Sequence, residues 1–151
     1  MLNKIKKWSR VDNSGLSMAF WNKEKFLLNN KKIKQMIKYS KSKGQNSRIC
    51  LHENKNSKTQ VMVNLLLKKN NTNDFTSHFQ TTEYYLNIYG QLKIEYYLNK
   101  KIKKIILKKN GIFVMPKKML HRAVSESNYC IFLEIREGRF LKNDTLTSKI
   151  L

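Results

Sequence analysis

The stretch FTSHFQTTEYYLNIYG, residues 75–90, decides how the rest of the chain is interpreted. It contains His78, one of only three histidines in the chain, with Glu83 five residues further on. An imidazole and a carboxylate are both ligands for divalent transition ions. In one unbroken strand, however, residues an odd number apart point to opposite faces. The stretch is therefore either a metal site or a strand that carries an isolated histidine.

A second motif follows downstream, and the two occur in a fixed order. The motifs are His78-x4-Glu83-x6-Gly90 and Gly111-x4-Pro116-x4-His121. Their spacing is similar to the two signature motifs of the cupin superfamily, whose fold is a double-stranded β-helix, or small jelly-roll barrel. The resemblance implies a turn between the first histidine and the glutamate, which brings both side chains inward. It also implies that His78, Glu83 and His121 are the metal ligands.

The flanking sequence narrows the resemblance to the WbuC-type cupin metalloproteins. The segments that carry it are Arg48 with CLH at 50–52, Gln60, Met62, and EIREGRFLKNDT at 134–145. Together with the two motifs they cover roughly residues 20–145. The resemblance implies a mainly β fold, a cupin barrel with a short N-terminal helical segment.

Several departures from the family pattern affect the expected metal site. Thr76 stands where the family has the first histidine of a His-x-His pair, and a neutral hydroxyl is a poor ligand for a transition metal. The glycine between Pro116 and His121 is missing, and the chain ends in TSKIL in place of the usual tail. Two histidines and one carboxylate still suit Fe, Zn, Ni or Mn. We therefore expect a site for a divalent transition metal that is either weakened or lost.

Three function classes follow, and the residues leave all three open. The first is a metal-dependent cupin that acts on a small molecule. Because the family takes its name from an O-antigen gene, the resemblance implies a ligand such as a sugar or nucleotide sugar in surface polysaccharide biosynthesis, and the cupin fold implies a homodimer. A metal-free sugar-nucleotide isomerase or epimerase would use His78 or His121 as general base and a tyrosine as acid. A non-catalytic binding barrel is the third possibility.

The chain divides into three segments by its pattern of apolar residues. Residues 1–20 are basic and aperiodic and predict a flexible arm, and Met18 is an alternative start that would exclude residues 1–17. Residues 21–44 carry a helical stripe through Phe26, Ile33 and Met36, ended by Gly44. Residues 45–151 alternate with period two and predict the cupin β-barrel.

Charge and cysteine content limit the partners and the compartment. The net charge of +21 comes from 26 Lys and only 5 Arg, and arginine is the residue that recognises phosphate and bases bidentately. We therefore predict no specific nucleic-acid binding. No apolar run reaches the roughly 18 residues of a membrane span, so no membrane insertion is expected. The thiols of Cys50 and Cys130 are isolated, which favours a reducing, cytoplasmic location without a disulfide.

Other polar and aromatic residues are interpreted as structural. His52 is predicted to anchor the strand that enters the barrel. Side chains at three alternating strand positions are predicted to fill the barrel, namely Tyr85, Tyr96 and Phe113. For Arg48 and Arg122 a structural salt bridge is favoured over contact with a phosphate or carboxylate.

Overall fold

Two β-sheets account for most of the computed structural model, which describes residues 1–15, 17–24, 27–71, 74–138 and 144–149. The larger sheet has seven strands, β1 (Ser9–Asp12), β2 (Met18–Asn22), β3 (Ser47–Cys50), β4 (Thr59–Leu67), β6 (Glu83–Tyr89), β9 (Ile112–Met115) and β11 (Tyr129–Glu137). Their spatial order is β1-β2-β3-β4-β11-β6-β9. The smaller sheet has five, β5 (Asp74–His78), β7 (Leu92–Leu98), β8 (Lys101–Leu107), β10 (His121–Ser125) and β12 (Thr145–Lys149). They run in the order β12-β5-β10-β7-β8, and the mainly β fold that the sequence predicts is confirmed.

A hydrophobic core lies between the two sheets. Strands of the larger sheet contribute Tyr85 and Phe132, and β7 contributes Leu92 and Ile94, which are fully buried. Leu92 and Ile94 stand two residues apart, so they share one face of β7, as the alternation in the sequence predicts. Burial of these side chains holds the sheets face to face.

The turn between β6 and β7 depends on glycine. Gly90 has a φ of 75°, and a Cβ at this position would lie 2.5 Å from the carbonyl oxygen of Tyr129. Only glycine adopts this conformation without strain and leaves room for the neighbouring strand. The tight turn predicted at Gly90 is therefore present.

The N-terminal segment differs from the predicted flexible arm of residues 1–20. It forms α1 (Leu2–Lys6), β1 and β2, and β2 pairs in parallel with β3 to widen the larger sheet. All five residues of β2, MAFWN, are buried. A strand covered on both faces shows no polar–apolar alternation, so the period-two signal was absent.

The predicted helix of residues 21–44 begins later than expected. α2 (Asn30–Lys43) starts after Asn29, whose side chain accepts a hydrogen bond from the backbone N–H of Lys32 at 3.0 Å. It ends where the sequence predicts, at Gly44, which has a left-handed φ of 61°. Phe26, part of the predicted stripe, lies outside the described residues. None of the described helices is long and apolar enough to span a bilayer.

Cys50 and Cys130 are both buried and unpaired, as predicted. Burial raises the pKa of each thiol to about 11. Neither thiol is therefore an activated nucleophile at neutral pH.

Candidate metal centre

Strand ends bring the three predicted ligands together. His78 is the last residue of β5, Glu83 is the first residue of β6, and His121 is the first residue of β10. Residues 79–82 carry the chain from the smaller sheet to the larger one, so the odd spacing between His78 and Glu83 is compatible with a common direction. All three side chains are buried, with exposed fractions of 6%, 1% and 3%.

The ligand atoms of these three residues are close to one another. Nε2 of His78 lies 3.2 Å from Oε1 of Glu83, and Nε2 of His121 lies 2.7 Å from Oε2 of the same carboxylate. No two of the three ligand atoms are more than 4.8 Å apart. Two atoms that each bind one ion at about 2.1 Å are about 3.0–3.4 Å apart, so modest side-chain shifts accommodate an ion.

Hydrogen bonds to the other ring nitrogens orient both imidazoles. Nδ1 of His121 lies 2.8 Å from the carbonyl oxygen of Met119, which can only accept, so Nδ1 carries a hydrogen. Nδ1 of His78 lies 3.1 Å from the hydroxyl oxygen of Thr145. Such contacts fix which nitrogen is left to bind a metal, and here it is Nε2.

The protonation of His121 decides whether the cluster fits a cation. With a hydrogen on Nδ1, a neutral imidazole has a lone pair on Nε2, and this lone pair faces a carboxylate oxygen only 2.7 Å away. Two lone pairs at this distance repel unless a positive species lies between them. Either a second proton on His121 or a metal ion supplies it. Two imidazoles and a carboxylate whose ligand atoms lie within 4.8 Å of one another are a donor set that fits a divalent ion.

Tyr85 belongs to the same cluster. Its hydroxyl donates to Oε2 of Glu83 at 2.7 Å and lies 3.1 Å from Nε2 of His121. The ring also packs against Phe132, so Tyr85 fills the barrel as predicted. The prediction did not include the hydrogen bonds of its hydroxyl.

Two residues of β11 complete the network. Nη2 of Arg136 donates to Oε1 of Glu83 and, at 3.1 Å, to Oε1 of Glu134. The amide of Asn64 donates to Oε2 of Glu134 at 2.9 Å. These residues were not predicted, because their place beside Glu83 depends on the pairing of β11 with β4 and β6.

The network keeps Glu83 ionised. Burial opposes the charge, but hydrogen bonds from His121 and His78 and the positive charge of Arg136 hold the pKa of Glu83 well below its usual value. Burial also opposes the charge on His121, yet the hydrogen bond to Glu83 raises its pKa above the usual 6.5. Burial, with the negative charge of Glu83, raises the pKa of Tyr85 well above its usual value. The centre therefore holds a buried negative charge and a tyrosine that stays protonated.

Thr76 lies beside the cluster. It is the direct cross-strand partner of His121 and stands two residues from His78 on β5. Both relations place its side chain on the face that carries the two histidines.

The remaining predicted residues lie apart from the cluster. Nδ1 of His52 lies 3.0 Å from the carbonyl oxygen and 3.1 Å from the backbone nitrogen of Val61, so the ring ties the end of β3 to β4 as predicted. Arg122 forms the predicted salt bridge, at 2.6 Å to Glu95. Tyr96 and Phe113 pack together in the core, with ring centroids 5.8 Å apart.

The predicted salt bridge of Arg48 is not observed among the described residues, and part of the predicted C-terminal family segment lies outside them. No salt bridge to Arg48 is found within the described ranges, although its charge acts on the pKa of Glu134. The predicted family segment at 134–145 includes residues 139–143, which lie outside the described residues.

Comparisons with known proteins give the fold. No protein-family model and no curated protein sequence matches the chain. The structure is similar to CapF in complex with 3-isopropenyl-tropolone, with a TM-score of 0.52, 17% identity, and coverage of 60% of this chain and 28% of CapF. CapF is a capsular polysaccharide assembling protein from Staphylococcus aureus.

Two further structures are similar in the same way. Protein SO0799 from Shewanella oneidensis has a TM-score of 0.52 and 12% identity, covering 62% of this chain and 64% of that one. Oxalate decarboxylase from Lactobacillus farciminis has a TM-score of 0.50 and 12% identity, covering 60% and 26%. The chain thus spans less than two-thirds of each of these proteins. CapF and oxalate decarboxylase are cupin-fold proteins, and at these identities the likeness shows the fold alone: the chain has the cupin fold.

Proposed function

We propose that the protein is a metal-binding cupin in which His78, Glu83 and His121 hold a divalent transition ion beside a small-molecule ligand. One observation carries the proposal. Nε2 of His121 faces Oε2 of Glu83 at 2.7 Å while Nδ1 is bonded to the carbonyl of Met119. Two imidazoles and one carboxylate favour Fe, Zn, Ni or Mn, whereas magnesium prefers more oxygen ligands.

The protein groups around the ion have separate tasks. Arg136 and Tyr85 hold the carboxylate of Glu83, and Met119 and Thr145 orient the two imidazoles. Thr76 supplies no strong ligand, so binding is weaker than in a four-ligand site and more coordination positions stay open. When bound, such an ion acts as a Lewis acid or a site for oxygen chemistry.

The ligand class is part of the proposal. Resemblance to WbuC-type cupins, together with the structural likeness to a capsular polysaccharide assembling protein, supports a sugar or nucleotide sugar in surface polysaccharide synthesis. We also retain the predicted homodimer. Exposed apolar side chains on the outer faces of β8 and β9 support it, among them Ile102, Ile106 and Ile112.

A metal-free acid–base centre is the second candidate. Tyr85 donates to Glu83 and lies 3.1 Å from Nε2 of His121, so an acid and a base are already in contact. This arrangement suits an isomerase or epimerase. If the mechanism is metal-free, activity would persist after treatment with a chelator. If the mechanism depends on the metal, the same treatment would abolish activity.

Replacing His121 by alanine tests the metal proposal. The wild type is expected to bind about one divalent ion per chain in calorimetric titration, and His121→Ala removes a ligand that no neighbour replaces. We expect at least a 100-fold loss of affinity, about 2.8 kcal/mol. His52→Ala removes a histidine outside the cluster and should leave affinity unchanged. Equal metal binding by all three proteins would contradict the proposal.

Metal affinity should also depend on pH in a defined direction. The pKa of His121 is raised, and its proton must leave before Nε2 can bind a metal. Below that pKa, apparent affinity is expected to fall about tenfold per pH unit. Titrations at about pH 8 and about pH 6 check this, and equal affinities would contradict it.

The metal-free protein should show the opposite trend in stability. The pKa of His121 is higher in the folded protein than in the unfolded chain, so protonated His121 stabilises the fold at a pH below its unfolded-state pKa. This contribution is lost as the pH rises through its folded-state pKa. The free energy of unfolding in chelator is therefore expected to decrease across the range in which metal affinity increases. His121→Ala should weaken both trends.

A further inference from the structure

A cavity of about 320 Å³ lies over the larger sheet next to the metal centre. Its floor includes a row of direct cross-strand partners, Trp21, Cys50, Met62 and Glu134. The next partner along this row is Tyr85, which belongs to the metal centre. Residues of the segment predicted as a flexible arm also line this cavity, namely Asp12, Ser14, Gly15, Ser17 and Ala19.

Three N–H donors of this cavity have no partner. They are Nε1 of Trp21, Nε of Arg48 and Nε of Arg136. Within the part of the chain that the structure describes, only four buried side-chain polar atoms lack a partner, so three of the four line one cavity. A buried donor without an acceptor is costly, and its presence points to a missing ligand or water.

The carboxylates that line the cavity do not satisfy these donors. Both oxygens of Glu134 already accept hydrogen bonds, from Asn64 and Arg136. Hydrogen bonds from Ser14 are the main cause of the lowered pKa of Asp12, and the nearby indole of Trp21 contributes least. The indole N–H of Trp21 lies near Asp12 but makes no hydrogen bond of good geometry to any acceptor in the described residues.

All three unpartnered atoms are donors, so the complementary ligand group has only acceptors. We propose that the cavity binds an oxyanion, the carboxylate or phosphate group of a small molecule, through Trp21, Arg48 and Arg136. Arg48 supplies positive charge that is not compensated by a salt bridge in the described ranges, whereas the charge of Arg136 is shared with Glu83 and Glu134. A volume of this size falls in the usual range for small-molecule sites, about 300–1,000 Å³.

The position of Arg136 connects this site to the metal centre. One nitrogen of its guanidinium donates to Glu83, while its Nε lacks a partner and its side chain lines the cavity. An anionic ligand held here would have its acidic group beside the metal ligands. The role of the site in a reaction therefore rests on the proposed function, but binding of the oxyanion does not require the metal.

The experiment follows the two tryptophan indole N–H signals by ¹H–¹⁵N NMR on chelator-treated protein. Inorganic phosphate and acetate are titrated separately, and acetamide serves as the uncharged counterpart of acetate. The Nε1 of Trp8 donates to Gln35 at 2.6 Å and is an internal control. We expect a saturable shift of the Trp21 signal with at least one of the two anions, no shift of the Trp8 signal, and no shift with acetamide.

Two variants test which residues hold the anion. Arg48→Met, which keeps the length of the side chain, is expected to weaken binding at least tenfold in the same titration. Arg122→Met removes equal charge at a site outside the cavity and should leave binding unchanged. Trp21→Phe keeps an aromatic ring and loses only the N–H, and it should reduce the rise in melting temperature that phosphate causes.

The outcomes are distinct. Saturation with phosphate alone or with acetate alone identifies the kind of acidic group. Equal movement of both indole signals, no movement with either anion, or unchanged binding by Arg48→Met would overturn the inference. The anion titrations contain chelator, so their result does not depend on the calorimetric metal titration. If anions bind in the first experiment and metal fails to bind in the second, only the proposed metal function is contradicted. If metal binds and anions do not, only this inference is contradicted.

Discussion

Replacing Thr76 by histidine is expected to raise the affinity for divalent transition metals by at least about tenfold, or about 1.4 kcal/mol. Thr76 is the cross-strand partner of His121 and stands two residues from His78. A histidine at this position joins the face that carries both imidazoles and adds a fourth ligand. Since the other three ligands are already held by hydrogen bonds, the added imidazole requires little reorganisation.

Calorimetric titration with zinc measures this gain. Thr59→His is the matched control, because Thr59 is exposed and stands next to Gln60, whose side chain lines the cavity on the other face of β4. It adds the same ligand type away from the cluster and should leave affinity unchanged. If Thr76→His binds zinc no more tightly than the wild type, the position assigned to Thr76 is wrong.

Replacing Arg136 by methionine is expected to destabilise the protein by about 3 kcal/mol, measured by urea denaturation without metal. Arg136 bonds two buried carboxylates, Glu83 and Glu134. Removing it leaves Glu83 with less compensation for its charge, and removing one partner of a buried ion pair is far more costly than replacing the whole pair.

A second substitution checks the cause of that loss. Glu134→Gln removes one of the two carboxylates and retains an amide that can still accept a hydrogen bond. In the double variant with Arg136→Met, the loss of stability should therefore be smaller than the sum of the two single losses. A loss below about 1 kcal/mol for Arg136→Met alone would show that the network contributes no more than an exposed ion pair.

The ligand set illustrates what the sequence could supply. The resemblance to cupins implied a turn between His78 and Glu83, and residues 79–82 connect β5 to β6 there. The predicted turn at Gly90 is also present, but it carries the chain from the larger sheet to the smaller one, so β6 and β7 do not form a hairpin. His121 joins the two other candidate ligands only because β10 pairs with β5, where His121 lies opposite Thr76. That pairing has no local signal, and His121 was indicated by the resemblance to the second cupin motif.

Residues that act across long distances in sequence could not be predicted in this way. Arg136 reaches Glu83 only because β11 lies between β4 and β6, and that pairing has no local signal. The cavity wall at Trp21 was missed for a different reason. The run MAFWN is buried throughout, so it lacks the alternation by which strands are usually identified.

Anomalous X-ray scattering from crystals grown with zinc tests the central claim most directly, because it locates the ion. The account predicts one strong peak at about 2.0–2.2 Å from Nε2 of His78, Nε2 of His121 and a carboxylate oxygen of Glu83. A cluster without a peak, in which both imidazoles remain hydrogen-bonded to Glu83, would contradict it, as would an ion bound only elsewhere on the chain.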